Sequence, residues 1–319
     1  MAKTNATRIL LRAVVCLLFV AVSSAHAFAQ QRSVAVTFDD LPVAGTSDPA
    51  EARSINDAIL ESLKKNRVPA IGLVIENRVQ EVGAGQGREI LDRWVSEGQD
   101  LGNHSLSHTS FNELSVEQFE QEIVKGETSF SAALAKAGKH PQYFRFPKNN
   151  TGDTREKHDA VAKFLASRGY RMAPCTIDNE DYVFDGTYRK ILADKDDVAA
   201  RKLRSDYLAY TATEIDYYSG VHRQIFGHEI PHVMLLHANR LNADVIDAVL
   251  KLFADRGYRF VPLGEALSDP AYSIPDTFVT EFGWMWAYRW AKELGVKVNG
   301  NLETEPPVWV VEYGKQKSK

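Results

Sequence analysis

The sequence predicts an α/β fold, a distorted (β/α) barrel of about seven parallel strands with a helical insertion and a C-terminal tail. Three observations lead there. Short apolar runs rich in β-branched residues alternate with helical patterns along most of the chain. Several helical patterns end on Gly, the residue that most readily closes a helix in left-handed backbone. The polar residues that punctuate the apolar runs fall at their carboxyl ends, which in a parallel barrel open onto one face. Alternation alone would also suit an open parallel sheet, and the irregular barrel is the preferred arrangement.

Taken in order, the elements begin with a leader. Residues 1–12 carry Lys3, Arg8 and Arg12 and no acid, followed by apolar AVVCLLFVAV and then AHAFAQ, where Ala27 and Ala29 suit cleavage before Gln30. This pattern over residues 1–29 predicts a secretory signal peptide, with an apolar core too short to span a bilayer. Cys16 lacks the small residues that precede a lipid-anchored cysteine, so no membrane anchor is expected, and export to a periplasm is. Without the leader, 35 Lys and Arg face 42 Asp and Glu, a net charge of −7 in place of −4. A mildly acidic chain without a basic block is a poor partner for nucleic acid or anionic lipid. Only Cys175 would remain, which rules out an intrachain disulfide.

Strand patterns follow at SVAVTF (33–38), VPAIGLVI (68–75), a weaker run before Asn103, QYFRF (142–146), YRMAPCTI (170–177), HVMLLH (232–237) and YRFVPL (258–263). Between them SINDAILESLKKN, REILDRWVSEG, VEQFEQEIVKGETSFSAALAKAG, REKHDAVAKFLASRG and NADVIDAVLKLFADRG carry helical periodicity. Residues 183–231 break the repeat as a long insertion, with Ile215, Tyr218, His222 and Ile225 at helical spacing. Residues 271–319 form a tail in which Trp284, Trp286, Tyr288 and Trp290 lie close together. Such a cluster can stack on sugars, but buried packing of the tail on the barrel is the favoured reading.

The chemistry lies at the strand ends. Asp39 and Asp40 end the first strand, His104 and His108 follow the third, Arg145 ends the fourth, Asp178 and Asp181 follow the fifth, and His237 ends the sixth. Buried strands have no structural need for so many polar endings on one face. His104 and His108 are spaced so that both rings can reach one cation, and a carboxylate from another strand end completes a two-His, one-carboxylate set. That set suits catalytic Zn²⁺ and equally a non-haem Fe(II) site. HEIPH (228–232) imitates the zinc-protease pattern, but the pattern needs a helix, and Pro231 would break one. These two histidines are therefore assigned to a loop.

In this order, TFDD, HSLSH, RFP, DNEDY and LLH resemble the five motifs of the polysaccharide deacetylases, the NodB-homology carbohydrate esterases of family 4. The resemblance runs over about residues 30–265, giving a deacetylase domain of 30–270 before the tail. It implies a distorted (β/α) barrel and metal-dependent removal of acetyl groups, N-acetyl before O-acetyl, from an acetylated polysaccharide or oligosaccharide. It implies that Asp40, His104 and His108 hold the metal, Zn²⁺ first, and that Asp39 is the general base oriented by Arg145. His237 would be the general acid, its ring held by Asp178. The Lys148 N–H would face the oxyanion, and Leu235 and Tyr182 would line the acetyl pocket. The chain departs from the family where Lys148, Asn149, Asn150 and Thr151 follow RFP, and where Tyr182 replaces the usual Trp. Two alternatives stay open: an amidase of the same fold acting on a small cyclic amide, and a non-catalytic carbohydrate-binding protein.

Overall fold

The computed structural model describes residues 32–315; the expected signal peptide, with Cys16, and residues 316–319 lie outside the described residues. Seven parallel strands make the sheet: β1 (Ser33–Leu41), β2 (Ala70–Val74), β3 (Asp100–Asn103), β4 (Tyr143–Phe144), β5 (Arg171–Met172), β6 (His232–His237) and β7 (Arg259–Phe260). The order is β5-β4-β3-β2-β1-β6, with β7 on the start of β1. Past β5 the chain continues to a parallel bridge between Ile177 and Met234. There the Thr176 N–H donates to Val233 O at 3.0 Å and the Leu235 N–H to Ile177 O at 2.9 Å. The two edges of the path thus meet, and the sheet curls into a distorted barrel whose strands are short where the closure is irregular.

The pleat divides the strand residues in two. Ala35, Ile71, Leu73, Tyr143, Ala173 and Val233 form one cluster with Val261, Leu263, Ala266 and Leu267 from the segment after β7. Val34, Val36 and Phe38 belong instead to the larger core between sheet and helices, beside Ile59, Leu91 and Trp94. Every residue of β1 except Asp40 is buried, as expected of a central strand covered on both faces. Alternation continues the Ala35 file through Thr37 to Asp39, the Val233 file through Leu235 to His237, and the Tyr143 file to Arg145. The inward files therefore end on polar groups at one mouth of the barrel.

The longer helices are α1 (Pro49–Asn66), α2 (Ala84–Ser96), α3 (Val116–Gly126), α4 (Thr128–Lys136), α5 (Arg155–Ser167), α6 (Asp181–Ala193), α7 (Asp197–Phe226), α8 (Arg240–Asp255), α9 (Trp286–Glu293) and α10 (Val308–Lys315), with shorter helical turns between. Several of their starts are capped as sequence chemistry demands: Asp48 before α1, a Ser115–Gln118 capping box on α3, Thr154 before α5 and Asn239 before α8. The single periodic run 116–138 is two helices, α3 and α4. The break follows Gly126, where an added Cβ would lie 2.7 Å from the Ser105 backbone carbon and 2.8 Å from Asn103 Oδ1. This close approach seats α3 under the histidine loop.

The insertion is α6 and α7, and Ile215, Tyr218, His222 and Ile225 are all buried on α7. In the tail, Trp286 and Trp290 are buried while Trp284 is half exposed. The Trp290 ring lies 5.4 Å from Phe226 and 5.7 Å from His222. Among the described residues no helix is long and apolar enough to cross a membrane. One loop assignment is corrected. His228 is exposed beyond α7, but His232 is buried as the first residue of β6, at the far end of that strand from His237. Pro231 ends the loop, and with no helix between them the two rings do not share a face.

Candidate active site and metal centre

Asp39 reaches the barrel mouth at the end of its inward file, and Asp40 reaches it by leaving the file. The register of β1 against β2 shifts between Phe38 and Leu41, and Asp40 has φ 63. Left-handed backbone is costly for a non-Gly residue and is kept where the surroundings demand it. Here it aims two successive carboxylates at one space. The Asp39 carboxylate is buried and accepts from Arg145 Nη1 at 2.6 Å. Arg145 is fixed in turn, donating from Nη1 to Thr37 Oγ1 at 2.8 Å and from Nε to Ala173 O at 2.9 Å. Thr37, whose hydroxyl also donates to Met234 O at 2.7 Å, opens the TFDD stretch but was given no role from the sequence.

The histidine loop is built from below. Asn103, ending β3, donates to Ile123 O on α3 at 2.9 Å, and its Oδ1 accepts the Ser105 N–H at 2.8 Å. The Ser105 hydroxyl accepts the His108 N–H at 3.0 Å, and Ser105 and His108 both take left-handed backbone, φ 74 and 59. His104 Nδ1–H donates to the Arg145 carbonyl at 2.9 Å, which leaves Nε2 as the free lone pair facing the mouth. The two Nε2 atoms lie 3.8 Å (His104) and 3.7 Å (His108) from Asp40 Oδ1.

These three donors fit a divalent cation. One atom from each of Asp40, His104 and His108 lies within 4.8 Å of the other two. Two ligands each about 2 Å from an ion are at most about 4 Å apart, and both imidazole-to-carboxylate spacings fall inside that limit. Asp40 Oδ1 is buried and has no hydrogen-bond partner, a vacancy in bonding that a cation would fill. Burial pushes the His108 imidazole down to about 4, helped by the neighbouring His104, so at neutral pH it is in the unprotonated ligating form. Burial would raise the Asp40 carboxyl, but the fields of His237, His108 and His104 hold it below its ordinary value.

His237 faces this group from the end of β6. Its Nδ1 donates to Asp181 Oδ1 at 2.5 Å and its backbone N–H to Asp181 Oδ2 at 2.7 Å. Asn242 on α8 donates both to Asp181 Oδ2 and, at 2.9 Å, to His237 O. Burial would lower the His237 pKa, but the charge and hydrogen bond of the fully buried Asp181 raise it to about 10. The expected partner, Asp178, is therefore replaced by Asp181. Asp178 spends its Oδ1 on the Glu180 N–H at 2.9 Å, capping a turn through left-handed Glu180 (φ 48). That turn starts α6 at Asp181 and drops the Asp181 side chain beneath the histidine. Asp178 remains on the cleft wall, its carboxyl pushed up to about 6 chiefly by burial.

The cleft has a volume of about 420 Å³ and also takes Lys148, Asn149, Tyr182, Leu235 and Gly283 into its walls. Leu235 is buried on the inward file of β6, whereas Tyr182 is 57 % exposed with its ring 5.9 Å from that of His237. Lys148 stands in left-handed backbone in the turn Pro147–Asn149. Gly283 comes from the tail, and its presence in the wall was not legible from its neighbours in sequence.

The sequence profile described as polysaccharide deacetylase matches residues 28–173, which takes in the two aspartates, the two histidines and Arg145 but stops short of Asp181 and His237. Among curated proteins, the peptidoglycan-N-acetylmuramic acid deacetylase PdaC of Bacillus subtilis is 26% identical over 74% of this chain and 38% of its own length. A peptidoglycan-N-acetylglucosamine deacetylase of Bacillus cereus is 28% identical over 44% of this chain and 55% of its own. The chain thus spans less than two thirds of either relative. Among solved structures, the polysaccharide deacetylase Bc1974 of Bacillus cereus superposes with a TM-score of 0.51 at 21% identity, over 73% of this chain and 92% of that one. BA3943 of Bacillus anthracis, described as a CE4 family pseudoenzyme, gives 0.51 at 17% identity, over 75% and 66%. Both likenesses concern the fold, and the second shows that this fold also carries proteins named as pseudoenzymes. Residues 28–173, the segment that carries Asp39, Asp40, His104, His108 and Arg145, thus match the polysaccharide deacetylase profile, and the likeness of the chain to that family rests on this segment.

Proposed function

We propose that the chain is a metal-dependent hydrolase that removes N-acetyl groups from an acetylated polysaccharide or oligosaccharide outside the cytoplasm, peptidoglycan-like glycans first. The observation that carries this reading is the pairing, across one cleft, of a three-donor cation site with a protonated histidine: Asp40, His104 and His108 opposite His237 on Asp181. Asp40, His104 and His108 would hold a divalent ion, with Zn²⁺ the first choice for two imidazoles and a carboxylate. When bound, such an ion supplies Lewis acidity, lowering the pKa of water and polarising the acyl carbonyl. Asp39, charged and oriented by Arg145, takes the proton from the attacking water as general base. The Lys148 N–H donates to the oxyanion as charge develops on the acyl oxygen. Leu235 and Tyr182 bound the space for the acetyl methyl group.

His237 then protonates the departing nitrogen through Nε2, since Nδ1 is held by Asp181. An acid of pKa about 10 is fully protonated at neutral pH, and an amine leaving group needs that proton more than an alcohol does. This favours N-acetyl over O-acetyl substrates. A binding-only role would leave Asp39, Arg145 and the His237–Asp181 pair without work. The leader pattern of residues 1–29 supports action in the periplasm. The test is acetate release from N-acetylglucosamine oligomers, peptidoglycan and acetylated xylan, with chelator and after return of Zn²⁺. Release that chelator stops and Zn²⁺ restores is the expected result. No release from any of the three would overturn the function, and chelator-insensitive release would overturn the metal role.

A further inference from the structure

The turn that presents the Lys148 N–H is an unstable piece of backbone with an external support. Lys148 and Asn149 are successive non-Gly residues in left-handed conformation, φ 56 and 54. Single residues visit this region, but two in succession compound the steric cost of placing Cβ against the following carbonyl. The turn's own hydrogen bonds, Asn149 N–H to Phe146 O at 3.1 Å and Asn150 N–H to Pro147 O at 3.1 Å, close it without fixing its tilt. The Lys148 N–H has no acceptor among the described residues.

The support comes from the tail, beyond the segment that the family profile matches. Arg289 on α9 is 2 % exposed and donates from Nη2 to Asn149 O at 3.1 Å and from Nη1 to Thr151 Oγ1 at 3.0 Å. The same guanidinium donates to Trp284 O at 3.1 Å and to Asp276 Oδ2 at 2.9 Å, between the faces of Trp286 and Phe278 at 4.9 and 5.6 Å. One rigid fork therefore ties the turn to the tail segment 276–284. Between those ties, Gly283 presses on the turn: a Cβ added there would stand 1.6 Å from Lys148 O and 3.0 Å from the Asn149 carbonyl carbon. Only glycine permits that approach, and the same residue forms cleft wall.

We propose that Arg289 is a positioning residue of the hydrolytic centre, which together with Gly283 holds the Lys148–Asn149 turn so that the Lys148 N–H is presented to the developing oxyanion. This rests on the deacetylase reading given above. It makes the tail a working part of the site, and it explains why a buried arginine bonds the turn's backbone carbonyl: a carbonyl fixed on one side of a peptide fixes the tilt of its neighbours. Lysine at 289 would keep the charge but lose the fork.

The experiment compares Arg289→Lys, Arg289→Ala and Gly283→Ala with the parent chain, reading kcat, KM, bound Zn²⁺ and amide hydrogen exchange at residues 147–151. The expected result is a kcat reduced about 10²-fold in Arg289→Lys and Gly283→Ala, the cost of one misplaced oxyanion donor. KM should stay within a few-fold, one metal should remain per chain, and exchange should accelerate at 147–151. A tetrahedral phosphonate analogue should lose affinity in parallel with kcat, which a purely structural role would not produce. Folded variants with parental kcat and parental exchange would overturn the assignment, as would a loss carried wholly in metal content. If the parent chain itself releases no acetate, the deacetylase reading fails. The support role is then judged by exchange alone, and unchanged protection at 147–151 overturns it.

Discussion

Replacing Asp181 by Asn removes one charge from the fully buried partner of His237 and leaves the shape almost unchanged. Two donors converge on Asp181 Oδ2, the His237 backbone N–H at 2.7 Å and the Asn242 amide, so the carbonyl oxygen of the new side chain stays there. Its NH2 must then face His237 Nδ1, which forces that nitrogen to accept and leaves a neutral ring protonated at Nε2. The pKa that the ion pair lifts from 6.5 to about 10 falls back, and burial pushes it lower still. At about 1.4 kcal/mol per unit, that net shift, to which the fields of Asp40 and Asp39 also contribute, is on the order of 5 kcal/mol in favour of the protonated ring. That is close to the cost of breaking a buried ion pair by removing one partner. Because the folded pKa lies above the unfolded one, this stabilisation is complete below pH 6.5 and is lost as pH rises through about 10. The assay is kcat/KM for acetate release between pH 5 and 10.5, with the urea midpoint of the metal-free protein measured alongside. Asp181→Asn should lower kcat by ~10²–10⁴ at neutral pH and erase the alkaline loss of stability. Asp178→Asn, which touches His237 only through the field across the cleft, should leave the alkaline limb near its place. An Asp181→Asn chain within tenfold of the parent, with the same alkaline limb, would refute the assignment of His237 as a proton donor held by Asp181.

Three further substitutions separate the remaining roles. Asp39→Asn should keep about one metal per chain yet lose ~10²–10⁴ in turnover, and metal analysis showing an empty site would instead make Asp39 a ligand. His104→Ala should empty the site, as read by metal content after dialysis; an unchanged content would place the ligands elsewhere. Gly126→Ala touches no ligand, but its Cβ would lie 2.7 Å from the Ser105 backbone. It should weaken metal affinity by displacing the histidine loop, with a thermal cost of about 1–3 kcal/mol for overpacking, and parental affinity would show that the loop absorbs the shift.

The barrel was readable because its central strands β1 and β2 are buried on both faces, and alternation of apolar runs with helical runs has few other solutions. β2 and β6 fall inside the runs that the sequence marks, β1 continues past its run to Leu41, and the short β4 and β5 are where the reading was coarsest. The split between α3 and α4 was hidden because Gly126 costs only about 1 kcal/mol in a helical pattern, too little to signal a break. What decides it is a contact with Ser105, a residue near in space and distant along the chain. Gly283 and Arg289 were illegible for the same reason: tail composition says nothing of which turn it will support.

Asp181, which lies within DNEDY but was passed over there for Asp178 as the partner of His237, shows what spacing can and cannot carry. Both Asp178 and Asp181 follow the fifth strand, and either has the carboxylate that an imidazole partner needs. The choice rests on backbone geometry. Asp178 is two residues before Glu180, the distance at which an Asp side chain turns back on its own main chain, and it does so at 2.9 Å. Once that oxygen is committed, the left-handed Glu180 reverses the chain and the next carboxylate enters the barrel mouth from below. The adjacent pair Asp39 and Asp40 obeys the same logic in reverse. Alternation would have sent Asp40 to the outer face, and one left-handed residue with a register shift returns it to the mouth. At each strand end a single left-handed residue decides where a carboxylate goes: Glu180 turns the chain so that Asp181 meets His237, and the backbone of Asp40 turns its own carboxylate toward the two histidines.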